Sequence, residues 1–269
     1  MNAFQYCVVH ERMTKNLCIA LMLVAPITSA DEKAMSIVLE SEARDSGFAD
    51  MNVKVEMILQ DRRGHESTRI LEISQIEMPE DGDRSLVVMK SPPAIRGTAL
   101  LSHAHRAKDD EQWIYLPAVS RVKKIASRNK SGPFLSSTFA YEDLLSPEIE
   151  KFSYQFLHDD TIDGREHWVI ERIPADKNSG YSRQEVWYDQ ERYTAARIVY
   201  FDKQKSLLKT LETYDWRLLH DKYWKPHSMR MTNHQTGKST KLVWHEYKLL
   251  NNAFSANRDF SIPALRRAR

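Results

Sequence analysis

Apolar and polar residues alternate through Met51-Asn-Val-Lys-Val-Glu-Met-Ile-Leu-Gln60, where every odd position is apolar and only Ile58 breaks the polar even set. A period of two belongs to a β-strand with one dry face and one wetter face. Asp61-Arg-Arg-Gly64 then supplies a turn. Segments of strand length follow at 67–78, 84–90, 98–107, 112–117 and 120–127. A second series runs through 151–159, 166–173, 183–189, 194–202, 206–217, 223–233 and 239–248. Asp81-Gly82, Lys108-Asp109-Asp110, Asp163-Gly164, Asn178-Ser179-Gly180 and Thr236-Gly237 read as turns between them, Asp-Gly being a strong hairpin signal. Strands at such short spacing predict one antiparallel sheet curling on itself, not parallel βαβ units.

Helical spacing occurs near residue 31. Ala34, Ile37, Val38 and Ser41 fall on one face, Glu32, Lys33, Glu40 and Arg44 lie elsewhere, and Gly47 is a stop. Between the two strand series, 128–150 shows neither period. It holds Gly132-Pro133, a short amphipathic piece around Tyr141–Leu145, and Pro147. A long loop of this kind inside a β domain acts as a lid or binding segment, or packs over an open end of the sheet.

The first thirty residues stand apart. Arg12 and Lys15 precede the apolar run Leu17–Ala25, and Pro26 and Thr28-Ser-Ala30 follow it. That is the layout of a secretory signal peptide cleaved before Asp31, with Met13 as an alternative start. The run is short of the roughly 20 residues a membrane-spanning helix needs. Both cysteines, Cys7 and Cys18, lie in this segment, so the mature chain is exported without a disulfide and rests on its own core. The expected organisation is therefore 1–30 signal peptide and 31–269 one domain. The whole chain carries a net charge of +2, which gives no reason to expect nucleic acid as a partner.

Candidate chemistry is sparse. The sequence contains no G-x-S-x-G, H-E-x-x-H, phosphate-binding glycine loop or C-x-x-C. His103 and His105 are two apart, a spacing that puts both on one strand face where they could share a metal. No third ligand is suggested nearby, so the expectation is a solvent-facing pair. Ser136, Ser137 and Thr138 with His158, Asp159 and Asp160 compose a hydrolase triad only on paper, without a nucleophile elbow. No catalytic residue, cofactor or metal is expected. Arg121-Val-Lys-Lys-Ile-Ala-Ser-Arg-Asn-Lys130 holds five cations and no acid, either a solvated strand face or a patch for lipid phosphates.

Gly97-Thr-Ala-Leu-Leu101, Asp109-Asp110, Trp113-Ile-Tyr-Leu-Pro-Ala118, Arg121-Val-Lys-Lys-Ile125 and Phe139-Ala-Tyr-Glu-Asp-Leu144 occur in that order. Together they resemble the outer-membrane lipoprotein-sorting protein family, LolA-like periplasmic carriers often encoded beside RND-type exporters. Relatives usually carry Gly-Ser-Asp-Phe where this chain has Ser136-Ser-Thr-Phe139. The resemblance implies a mainly β fold with few helices, an unclosed antiparallel β-barrel (LolA/LolB-like) wrapped around helices, with an apolar cavity for acyl chains.

The function expected is a periplasmic carrier of lipid or lipoprotein acyl chains, monomeric, in transient contact with membranes and with an RND-type exporter as a candidate partner. Competing readings are a phospholipase- or esterase-like lipid hydrolase and a periplasmic adaptor of the exporter. Met51, Val53, Val55, Met57 and Leu59, with Trp113 and Tyr115, are the expected cavity lining. Arg121, Lys123 and Lys124 are the expected headgroup rim, because burying their charge unpaired among acyl chains would cost several kcal/mol.

Overall fold

The computed structural model describes residues 29–268. The expected signal segment lies outside them except for Ser29 and Ala30, which begin the first helix. That helix, α1 (Ser29–Asp45), buries Ala34, Ile37 and Val38. It ends two residues before Gly47, whose φ of +93° turns the chain into the first strand. Glu77 accepts from the backbone N–H groups of Gly47 and Ala49, at 2.8 and 2.6 Å, and so satisfies donors that this turn leaves open.

Thirteen strands follow: β1 (Asp50–Gln60), β2 (Glu66–Ile76), β3 (Arg84–Ser91), β4 (Ala99–His103), β5 (Glu111–Leu116), β6 (Arg121–Lys124), β7 (Phe152–Ile162), β8 (Arg165–Pro174), β9 (Tyr181–Asp189), β10 (Ala195–Asp202), β11 (Leu207–Leu219), β12 (Tyr223–Asn233) and β13 (Lys238–Leu249). All pair antiparallel in one sheet, in the order β6-β5-β4-β3-β2-β1-β13-β12-β11-β10-β9-β8-β7. Among the described residues the only non-sequential neighbours are β1 and β13, which join the two strand series. Edge strands β6 and β7 do not pair, so the sheet stays open.

Each strand expected from periodicity is present. Two short C-terminal helices, α2 (Ala256–Asp259) and α3 (Ile262–Arg267), had no counterpart in the sequence reading. Phe260 and Leu265 of this segment are buried against Val88, Ala99 and Leu101 on the outer face of β3 and β4. The inner face carries two fillers. Segment 125–151, with single 3-10 turns at Ser127–Asn129, Phe134–Ser136, Tyr141–Leu144 and Ile149–Lys151, covers β1–β5 and one end of β9–β13. Helix α1 covers β7–β10, packing on Tyr154, Ile170, Val186 and Tyr188.

Candidate functional site

Segment 125–151 is a plug. Phe134 and Phe139 are buried among Val53, Val55, Met57, Leu71, Met89 and Leu242. Asp143 is held at its centre: the Tyr181 hydroxyl donates to it at 2.6 Å, the Ala140 N–H at 2.6 Å, and the Lys209 ammonium pairs with it. Both side chains of the Lys209–Asp143 pair are nearly inaccessible, at 3% and 4%. Lys209 also lies 5.0 Å from the ring centres of Tyr181 and Tyr200. A buried charge with this many partners is tolerated, whereas removal of one partner is costly. Burial, with the Asp143 and Glu142 carboxylates beside it, pushes the Tyr181 hydroxyl well up, so it stays a donor.

Glu142 reaches the other way and takes the Ser179 hydroxyl and the Gly180 N–H at 2.7 and 2.8 Å. A Cβ on Gly180 would stand 2.6 Å from Ser131 Cβ, so the close seating of the plug needs glycine there. The Tyr-Glu-Asp-Leu block is thus a clamp for the plug.

Beside the plug the same sheet face is open. A cleft of about 1010 Å3 runs between the C-terminal half of α1, residues 146–149 and the inner face of the second strand series. Its apolar wall includes Val38, Phe48, Ile149, Tyr154, Tyr188, Ile198, Trp216, Leu218 and Trp224. Charges ring it. Arg106 faces Glu148 at 3.3 Å and Glu42 at 3.6 Å, Lys225 pairs with Asp45 at 2.6 Å, and Arg192 stacks 4.2 Å above Trp224. Burial raises the carboxyls of Glu42, Asp83 and Glu148 above their ordinary values, and Arg106 only partly offsets this for the two glutamates.

The expected lining and the cleft do not coincide. Met51, Val53, Val55 and Met57 are buried and Leu59 packs against the same core, but none lines the cleft. The faces of Val53, Val55 and Met57 are occupied by the plug, and Met51 sits with Phe48 and Tyr223. Trp113 and Tyr115 differ more: strand alternation turns Ile114 inward and these two outward, where they pack beneath α2 and α3. Arg121 and Lys123 are exposed on edge strand β6, opposite Leu116 and the inward-facing Ile114. Lys124 is on the other face, 2.5 Å from Glu111 and 5.5 Å from the Trp113 ring.

His105 is only 3% exposed, which corrects the expected solvent-facing pair. The on-paper triad is dispersed. Ser137 and Thr138 donate to the Phe139 and Met231 carbonyls, His158 meets the Asp159 carbonyl on β7, and Asp160 accepts from Trp187 Nε1. The cleft was missed because its walls come from strand ends, the α1 terminus and turns, whose proximity no local period encodes. Trp216, Leu218 and Trp224 were the available signal, as strand aromatics and aliphatics outside the core count.

An open antiparallel sheet curled around a helix and a plug is the LolA-like unclosed barrel. A family model described only as covering an uncharacterized protein matches residues 81–267. Among solved structures, an outer membrane lipoprotein-sorting protein domain from Vibrio parahaemolyticus is 44% identical, with a TM-score of 0.85, over 88% of this chain and 100% of that one. A DUF1329 family protein from Desulfovibrio piger (24% identity, TM-score 0.82, 88% and 100% covered) shares the fold. So does a LolA superfamily protein from Nitrosomonas europaea (19% identity, TM-score 0.68, 85% and 97% covered). No curated protein matches the sequence. The chain belongs to the outer-membrane lipoprotein-sorting protein family.

Proposed function

We propose that the protein is a periplasmic carrier that shields acyl chains of lipids or lipoproteins from water, after removal of residues 1–30 from a single 31–269 domain. The cleft beside the plug is the observation that carries this reading. Its volume of about 1010 Å3 is at the top of the roughly 300–1,000 Å3 range of small-ligand sites. Its aromatic and aliphatic wall suits hydrocarbon, and each buried CH2 contributes about 0.8 kcal/mol. The surrounding arginines and lysines suit a phosphate or carboxylate at the chain's polar end. Arg121 and Lys123, exposed at the inner-face edge of the sheet, would meet an anionic membrane surface during loading or release. An RND-type exporter is a fitting donor or acceptor.

Native mass spectrometry of the exported protein tests this. Co-purified lipid or acylated peptide, exchangeable for a fluorescent fatty acid, is the expected result. A clean protein that ignores the fatty acid would leave the exporter-adaptor reading, and accumulating lysolipid would point to hydrolysis.

A further inference from the structure

Far along the sheet from α1, the β4–β5 hairpin brings together three groups with metal-ligating atoms. His103 ends β4, His105 lies in the connection and Glu111 begins β5. One ligand atom from each lies within 4.8 Å of the others. His105 Nδ1 is 2.6 Å from Asp81 Oδ2, so this nitrogen donates its proton to the carboxylate and leaves Nε2 as the ligand atom. Nε2 is buried and has no hydrogen-bond partner among the described residues. It points toward Glu111 Oε2, 3.7 Å away. An orphaned buried nitrogen is costly unless something fills the place.

The neighbours are arranged to the same end. His103 Nε2 lies 2.9 Å from the Phe260 carbonyl, which makes it the donor and leaves Nδ1 as the ligand atom. Lys124 donates to Glu111 Oε1 at 2.5 Å, which leaves Oε2 toward the histidines. Trp113 edges onto the His103 ring at 5.1 Å. The turn carrying Asp81 fits because residue 82 is glycine: a Cβ there would meet the Ala104 carbonyl carbon and oxygen at 2.7 Å.

We propose that His103 Nδ1, His105 Nε2 and Glu111 Oε2 form a site for a borderline divalent cation of the zinc type, with Asp81 and the Phe260 carbonyl orienting the two imidazoles. Two imidazoles and one carboxylate are a common zinc donor set, and a fourth position remains for water. Ligand atoms around tetrahedral zinc stand roughly 3.3 Å apart, given bonds of about 2.0–2.1 Å, and His105 Nε2 and Glu111 Oε2 already stand 3.7 Å apart. Copper(II) would bind at least as tightly, by the general affinity order of such sites. The ion pins the hairpin whose next residue, Arg106, faces the cleft, and through His103 it ties the C-terminal segment to the sheet.

The test uses the protein without a polyhistidine tag, stripped by a chelator and titrated with zinc chloride against a chromophoric competitor. One zinc per chain is expected, with a rise in melting temperature, and cobalt(II) should give the absorption of a tetrahedral site. Glu111→Gln changes a partly exposed side chain with little change of shape and should weaken binding at least tenfold. Asp81→Asn should weaken it about 10–100-fold through the orientation of His105. If the folded parent takes up no zinc at micromolar concentration, or if Glu111→Gln binds it as the parent does, the site is overturned.

Discussion

One inner sheet face serves two halves of this molecule in opposite ways. Over β1–β5 and one end of β9–β13 it is sealed by the chain's own segment 125–151, down to a buried Lys209–Asp143 pair. Over β7, β8 and the other end of β9–β12 it is covered only in part by α1 and leaves the cleft. The strands are alike in length and alternation, so the difference lies in what covers them. Apolar alternation marks a face that must be covered, without saying whether protein or ligand does so.

Identical substitutions on the two halves separate these cases. Val55→Glu puts a carboxylate into the fully buried core under the plug. It should cost about 5 kcal/mol or more, the lower end of a domain's stability, so little folded protein should be recovered in denaturant titrations. Val55→Glu that folds normally and loses only lipid binding would show that the plug leaves in solution. Lys209→Met strands the Asp143 charge and should cost about 3–5 kcal/mol. A double variant with Asp143→Leu should regain most of that loss.

Leu218→Glu, at a cleft residue 42% exposed, should leave the unfolding midpoint nearly unchanged. It should weaken fatty-acid binding about tenfold, equivalent to about 1.4 kcal/mol; unchanged affinity would remove the cleft as the acyl site.

Ser136 gives a smaller test within the sealed half. Its φ of +65° lies in the left-handed region that favours glycine, the residue the family pattern carries at this point. Ser136→Gly should therefore raise stability by about 0.5–1 kcal/mol.

The open half should also respond to pH. Glu42, Asp83 and Glu148 have raised folded-state pKa values because of burial. Raised acids favour the folded chain fully below their unfolded pKa values, and that contribution is lost as pH rises through the folded ones. Relative to the parent, the melting temperature of Glu148→Gln should therefore improve as pH is raised from about 4 to about 7. A flat difference would mean that Arg106 fully neutralises this wall.

Much of the fold was legible because strand alternation and Asp-Gly turns are local. The helix face of Ala34, Ile37 and Val38 was legible for the same reason. The dry face of Met51–Leu59 could be read as apolar, but its cover could not, since Phe134 and Phe139 arrive from about 80 residues away. Trp113 and Tyr115 were misread because the outer face at β3–β5 is also dry, under two short helices of only 4 and 6 residues, too brief for a helical period to declare itself. His103 and His105 were visible as a pair. Their third group, Glu111, lies across the hairpin register from His103, a pairing that only the fold sets.

The plug also bears on the order in which the chain assembles. Its hydrogen bonds join Asp143 to Lys209 across 66 residues, Thr138 to Met231 across 93, and Thr138 to Thr240 across 102. None of those partners exists in place until β11, β12 and β13 have paired, and contacts so distant in sequence form slowly, since loop closure comes before any reward. Segment 125–151 therefore docks late, onto a sheet already built. Until it docks, the apolar face of Val53, Val55 and Met57 has no cover, which makes the sheet before docking the form of this chain most exposed to aggregation.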